Sequence, residues 1–168
     1  MVDFLVIGNG NACKYSGIFS LFKERKVWFG TFKFGGHMWF ISSGDYNITK
    51  SYRKLDDGSV IVDVNGSVWF TNIEYKGMIK KLDITKKYVP DKYRKYDGTD
   101  VINVDSIYDI PVDYSGVMGV PINYIDKWDP DLYEMIGGAG CGGEYNMFNP
   151  IIDGKSRFCR LLIRRKLT

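Results

Sequence analysis

The first apolar run, Phe4-Leu5-Val6-Ile7, is short and stops at Gly8-Asn9-Gly10-Asn11. A brief apolar stretch bounded by turn formers predicts a buried strand that ends in a tight loop. Over residues 15–26 the apolar positions Ile18, Phe19, Leu21 and Phe22 share one face, and Lys23, Glu24, Arg25 and Lys26 close the segment with charge, which predicts a helix. Val27-Trp28-Phe29-Gly30 predicts another strand. Strand, loop, helix and strand in that order make an α/β fragment at the amino end.

Short β-rich runs follow at residues 32–34, 38–41, 59–64 and 68–73, separated by Gly35-Gly36, Asp56-Asp57-Gly58 and Asn65-Gly66. Asp-Gly and Asn-Gly between apolar runs are hairpin signals, and residues 60–69 carry the clearest one. Residues 76–105 are charged and irregular, rich in Lys, Tyr and Asp, and read as a long surface excursion. Residues 107–111 lead into the apolar run Val117-Met118-Gly119-Val120-Pro121, and residues 122–125 fit a helical turn or a strand. A short helix is expected over residues 130–136, capped by Asp129 and ended by Gly137. Residues 157–166 predict a final strand flanked by basic residues. The expected fold is α+β, or an α/β fragment: one domain over residues 1–168 with a mixed sheet, several β-hairpins and few short helices.

A chain of 168 residues, 45% hydrophobic and 15% aromatic, can bury a core without disulfides or metals, which excludes a disordered protein. The formal charge of +3 permits contact with nucleic acid without demanding it. Cys13, Cys141 and Cys159 are far apart and odd in number, so neither a disulfide framework nor a zinc pattern can be read from them; free thiols in a reducing cytoplasm are expected. His37 is the single histidine and has no nucleophile beside it in the sequence. The opening apolar run is too short to span a membrane and lacks the pattern of a signal peptide, so no membrane association is expected.

Several motifs invite a ligand and fail on context. Gly8-Asn9-Gly10 follows a strand, but Cys13 stands where a dinucleotide fingerprint needs its third glycine, so a plain strand-to-helix turn is the better reading. The glycines of residues 137–143 follow a helix-like segment and lead into none, which favours a mobile surface loop over a phosphate cradle. Asn149-Pro150-Ile151-Ile152 and Asp129-Pro130-Asp131-Leu132 lack the second proline and the aromatic of an adenine-methyltransferase tetrapeptide and read as turns. Trp28, Trp39 and Trp69 lie in apolar runs and read as packing, whereas Trp128 between charged neighbours reads as exposed. Basic residues cluster around Lys23, around Lys80 and Lys81, around Lys92 and at Arg157, Arg160, Arg164, Arg165 and Lys166. They fit either phosphate contact or a solvated face, with the terminal cluster the better candidate for phosphate.

Taken in order, five strings resemble EcoRI-type adenine-specific DNA methyltransferases: the opening residues 4–12; Val27-Trp28-Phe29-Gly30; Val68-Trp69-Phe70-Thr71-Asn72-Ile73; Ile110-Pro111-Val112-Asp113-Tyr114-Ser115-Gly116-Val117-Met118-Gly119-Val120-Pro121-Ile122; and Arg160-Leu161-Leu162-Ile163-Arg164-Arg165. The resemblance spans nearly the whole chain. It implies an enzyme that transfers a methyl group from S-adenosylmethionine to the exocyclic amine of adenine in DNA. In that family the cofactor loop and the catalytic Asn-Pro-Pro-Phe tetrapeptide lie upstream of the point matching Phe4, so no residue here inherits either role. What remains corresponds to the far edge of the catalytic sheet and the region that reads the DNA target.

A doubly wound sheet without its first half exposes an apolar edge, which must be covered by rearrangement, self-association or a partner. The leading expectation is therefore a non-catalytic, methyltransferase-derived interaction protein, suited to a phage or mobile element acting against host restriction or another defence. Two alternatives stand beside it. One is a DNA-binding target-recognition module using Arg160, Arg164, Arg165 and Lys166 with Lys80 and Lys81. The other is one half of a split methyltransferase, with Gly8-Asn9-Gly10-Asn11 lining a shared site. No catalytic residue, metal or cofactor is expected for the isolated chain, and S-adenosylmethionine only if another chain completes it.

Overall fold

The computed structural model describes residues 2–31, 36–42, 51–78, 81–143 and 145–166. The opening apolar run forms β1 (Leu5–Asn9), and the amphipathic segment after it forms α1 (Ser16–Lys23). A 3₁₀ turn over Gly10–Lys14 joins them, with the Asn9 side chain accepting from the Asn11 N–H at 2.9 Å. Then come β2 (Trp28–Phe29), β3 (His37–Ile41), β4 (Tyr52–Lys54), β5 (Val60–Asn65) and β6 (Ser67–Thr71). The strand expected at residues 32–34 lies outside the described residues.

β6 sits between β1 and β2 and runs antiparallel to both, so β1 and β2 are parallel to each other. Helix α1 covers the β2–β6 side. Its Phe22 ring stands 4.8 Å from Phe29 and 6.2 Å from Phe70, and Phe29 lies 5.3 Å from Phe70, so the predicted apolar face becomes an aromatic core. None of these ring contacts involves β1. That strand was expected to be buried, yet Leu5, Val6 and Ile7 are 56%, 53% and 42% exposed. The reason is positional: β1 is the edge of its sheet, and no described element flanks it beyond β6.

Between β2 and β6 the chain inserts a second sheet, ordered β3-β5-β4 and antiparallel throughout. The Asp57-Gly58 signal closes the β4–β5 hairpin: Gly58 takes φ 83°, and Asp57 Oδ1 accepts from the Ser59 N–H at 2.9 Å and its hydroxyl at 2.6 Å. The hairpin expected over residues 60–69 is not one. β5 pairs with β3 and β4, whereas β6 pairs with β1 and β2, so the chain changes sheets at Asn65-Gly66. An Asn-Gly hairpin turn needs positive φ at both residues. Gly66 has it, at 77°, but Asn65 is not in the left-handed region.

Residues 76–105 hold little regular structure, as expected, but they are not a surface excursion. Tyr93, Tyr96, Ile102 and Val104 are buried, and the segment contributes β7 (Ile102–Asn103). The rest of the chain forms β8 (Val117–Pro121), β9 (Tyr133–Ala139), β10 (Asn146–Phe148), β11 (Ile151–Ile152), β12 (Lys155–Ser156) and β13 (Arg160–Arg165). A mixed sheet orders them β10-β9-β13-β8-β7, with β13 central and antiparallel to β8 and β9. The β11–β12 hairpin turns at Asp153-Gly154, where both residues take positive φ, 50° and 71°. Residues 122–126 settle as a 3₁₀ turn.

The helix expected over residues 130–136 is instead the start of β9. Tyr133 and Met135 are buried and alternate with the less buried Glu134 and Ile136, a period of two. Asp129 caps a turn, its Oδ1 accepting from the Asp131 N–H at 2.9 Å, and the strand runs on through Gly137-Gly138. Gly137 and Gly138 are therefore in a buried strand and not in the expected loop, whereas Gly140, Gly142 and Gly143 lie beyond the strand with positive φ. A Cβ on Gly137 would stand 2.9 Å from the Tyr145 carbonyl oxygen, closer than real Cβ contacts allow. Cys141 and Cys159 form a disulfide that ties the end of β9 to the start of β13, which corrects the free-thiol reading; the two are close only after β9 and β13 pair.

Buried side chains from the β1-β6-β2 sheet, from α1 and from one face of the five-stranded sheet join in a single apolar cluster. The fold is α+β with a mixed sheet. Among the described residues no helix is long and apolar enough to cross a membrane.

Candidate nucleic-acid interface

The predicted basic residues divide between two ends of the five-stranded sheet. At one end the β13 strand finishes beside the start of β9, with Arg164 opposite Glu134 and Arg165 opposite Tyr133. Arg164 Nε donates to Glu134 Oε1 at 2.5 Å, and Arg165 is half-buried. Lys166 is exposed, with its backbone N–H on the Leu132 carbonyl at 2.9 Å. Lys81 reaches the same end, 3.6 Å from the buried Asp129 carboxylate. Lys80 lies outside the described residues.

Arg160 sits at the other end, and its surroundings are structural. Its side chain is 12% exposed; Nε donates to Asn103 Oδ1 at 3.3 Å and the guanidinium lies 3.7 Å from Asp105. Asn103 Oδ1 also accepts the Tyr96 hydroxyl at 2.7 Å, and Asn103 Nδ2 donates to Asp105 at 2.8 Å. Burial pushes the Tyr96 phenol up to about 12, so it stays a neutral donor. No sequence signal marked this network, because Tyr96 and Asn103 lie in the stretch that looked like surface.

Elsewhere acids neutralise the basic clusters pairwise: Lys95 with Asp100 at 2.7 Å, Lys92 with Asp109 at 3.3 Å, and Arg94 with Asp153. Exposed pairs of this kind add little stability, and they leave less positive field for phosphate than the sequence count suggests.

The tryptophans sort differently from expectation. Trp28 and Trp128 are half-buried and fixed by Nε1 bonds to the carbonyls of Ile73 (2.9 Å) and Tyr133 (2.8 Å), so Trp128 is not the exposed ring. Trp39 is: it is 36% exposed on the outer face of β3, with the Arg53 guanidinium 4.4 Å from its ring centroid. On the same face His37 Nδ1 lies 2.6 Å from Asp63 Oδ2. Asp63 is 8% exposed, and its Oδ1 has no hydrogen-bond partner among the described residues. Cys13 is buried, which pushes its thiol up to about 12 and removes it as a nucleophile. No three His, Cys, Asp or Glu side chains among the described residues are placed to share a metal ion.

The β1-β6-β2 sheet, with two parallel strands flanking an antiparallel one and α1 packed against it, stands beside the five-stranded mixed sheet in an α+β fold. Residues 2–166 match the family described as "Adenine-specific methyltransferase EcoRI", and the chain belongs to that family. It is 37% identical to the type II methyltransferase M.EcoRI of Escherichia coli over 166 residues, which is 97% of this chain and 50% of that protein. It is 33% identical over 139 residues to M.MpnI of Mycoplasma pneumoniae, covering 80% of this chain and 43% of the relative. The same identity and length relate it to M.MgeORF184P of Mycoplasma genitalium. The chain thus spans about half the length of the curated relatives it matches. No solved structure matches it.

Proposed function

We propose that this chain forms the DNA-facing, non-catalytic part of an adenine-specific DNA methyltransferase and works only with the other half of the fold docked along β1. The observation that carries this reading is the open β1 edge. Leu5 and Ile7 share a face with Trp69 and Thr71, their register partners on β6; Thr71 is buried, but Leu5 and Ile7 at the edge stay 56% and 42% exposed. A groove of about 260 Å³ runs along it between Leu5, Trp69, Ile73 and Tyr75. An apolar strand with a free edge recruits another strand. The occupant is the half of the family's fold that this chain does not match. The resemblance puts the cofactor loop and the catalytic tetrapeptide in that half, ahead of the position of Phe4.

In this reading the docked half binds S-adenosylmethionine and supplies the groups that hold the target adenine. This chain contributes the outer strands of the shared sheet and the surface that meets DNA. The test is methyl transfer from labelled S-adenosylmethionine to adenine in duplex DNA. The chain alone gives none, and the chain with the amino-terminal half of a family member gives transfer that rises to a stoichiometric end point. Transfer by the chain alone would contradict the reading. Capture at β1 of a nuclease or other defence protein, in place of a methyltransferase half, would make the chain an interaction protein directed at host defence.

A further inference from the structure

The inserted β3-β5-β4 sheet has a place in the fold and a surface chemistry that the family assignment does not account for. β1 and β2 are parallel, so their carboxyl ends, at Asn9 and Phe29, point the same way. The chain leaves β2 at that end and re-enters β6 there, at Ser67, so the insert is rooted at the carboxyl ends of the parallel strands. None of the insert's described residues joins the apolar core cluster, so its described strands are not needed to close the core.

One face of the insert is built to meet something. His37, Trp39 and Ile41 alternate onto it from β3, facing Asn65, Asp63 and Ile61 of β5, and Arg53 of β4 lies opposite the same Ile61. The alternate residue on β3, Met38, is 5% exposed, whereas Ile41 is 74% exposed and the His37 side chain 59%. Arg53 reaches across β5 to lay its guanidinium over the Trp39 ring, 4.4 Å from the centroid, so this pair presents a planar cation backed by an indole. Asp63, buried beside it on the neighbouring strand, holds His37 at 2.6 Å, so the imidazole is oriented while most of it stays open to solvent. A planar guanidinium backed by an indole suits an unstacked base and the phosphate beside it.

We propose that the His37–Trp39–Arg53 face of the inserted sheet is a DNA-contact surface: the Arg53–Trp39 pair is the platform on which a base stacks, and Arg53 also contacts the adjoining phosphate. This rests on the methyltransferase reading above only for the identity of the nucleic acid. It relocates the principal contact from the carboxyl-terminal basic cluster, where Arg160 and Arg164 are paired within the chain, to β3 and β4. Asp63 is a positioning residue here and touches no DNA.

The experiment is fluorescence-anisotropy titration of the chain with single-stranded and mismatched duplex DNA over a range of salt, with circular dichroism confirming that each variant folds. Trp39→Ala is expected to weaken binding about tenfold, and Trp39→Phe to keep most of it. Arg53→Ala is expected to lower the salt slope by about one, and Arg53→Lys to restore it. Lys155→Ala, on the exposed β12 hairpin, serves as the control and is expected to leave both unchanged. Binding that Trp39→Ala does not weaken would overturn the proposal while leaving the docking reading intact. A wild-type chain that binds no DNA would also overturn it. Failure of the docking reading is seen separately, in the methyl-transfer assay with the other half.

Discussion

Arg160 Nε lies 3.3 Å from Asn103 Oδ1, the same oxygen that accepts the Tyr96 hydroxyl at 2.7 Å. The arrangement ties β13 to β7 through side chains as well as through β8. It makes the first arginine of the basic terminal strand a strut. Replacing Arg160 with alanine is expected to destabilise the chain by about 1–3 kcal/mol in urea unfolding, because a charge-assisted hydrogen bond to a buried amide is lost. The salt slope of DNA binding by the folded variant should not change. A lowered slope at unchanged stability would restore Arg160 to the phosphate surface.

The same network predicts a pH dependence. Burial holds the Tyr96 phenol up at about 12, above its ordinary value near 10, so between those values the unfolded chain loses a proton that the folded chain keeps. Its contribution to stability is complete below about pH 10 and is lost as pH rises towards 12. Tyr124 and Tyr133, both raised by burial, act in the same direction. Spectrophotometric titration at 295 nm should show these phenols ionising late and together with unfolding, and Tyr96→Phe should flatten part of the alkaline loss.

The cysteines give a third prediction. Thiol titration of the native oxidised protein should find no reactive group, because Cys141 and Cys159 are bonded and Cys13 is buried with its thiol held up at about 12. Unfolding without reductant should release one thiol, from Cys13. Reduction, or Cys159→Ser, should cost up to about 3 kcal/mol for opening a loop of this size. Three reactive thiols in the unfolded, unreduced chain would remove the disulfide from the account.

Legibility followed the range of the interactions. The opening strand, α1, β2, the Asp57-Gly58 hairpin and the terminal strand could be read from local pattern, because turn chemistry and one-sided apolarity decide them. What failed depended on distant partners. Asn65-Gly66 has the composition of a hairpin, but the partners waiting for β5 and β6 lie in different sheets. Residues 133–139 carry no decisive local signal, and β13, which arrives last, makes them a strand. Cys141 and Cys159 become neighbours by that same pairing. Of the candidate site, the basic residues were visible in the sequence but their acidic partners across the sheet were not. The Arg53–Trp39 contact was hidden because it crosses two strand pairings.

The open edge yields a fourth prediction. Val6 is exposed, so Val6→Lys should fold with a stability change within about 0.5 kcal/mol while placing a charge on the strand that awaits a partner. In sedimentation velocity the wild-type chain should associate with increasing concentration, and the variant should stay monomeric. Equal association of the two would show that contacts form elsewhere.

The docking claim itself is tested most directly by hydrogen–deuterium exchange over β1. The ladder to β6 uses one set of β1 backbone groups and leaves the other facing the open edge. When the amino-terminal half of a family member is added, exchange over Leu5–Asn9 should slow markedly, while exchange in the β3-β5-β4 sheet stays as it was. Tight association of the two halves with no added protection at β1 would contradict the account.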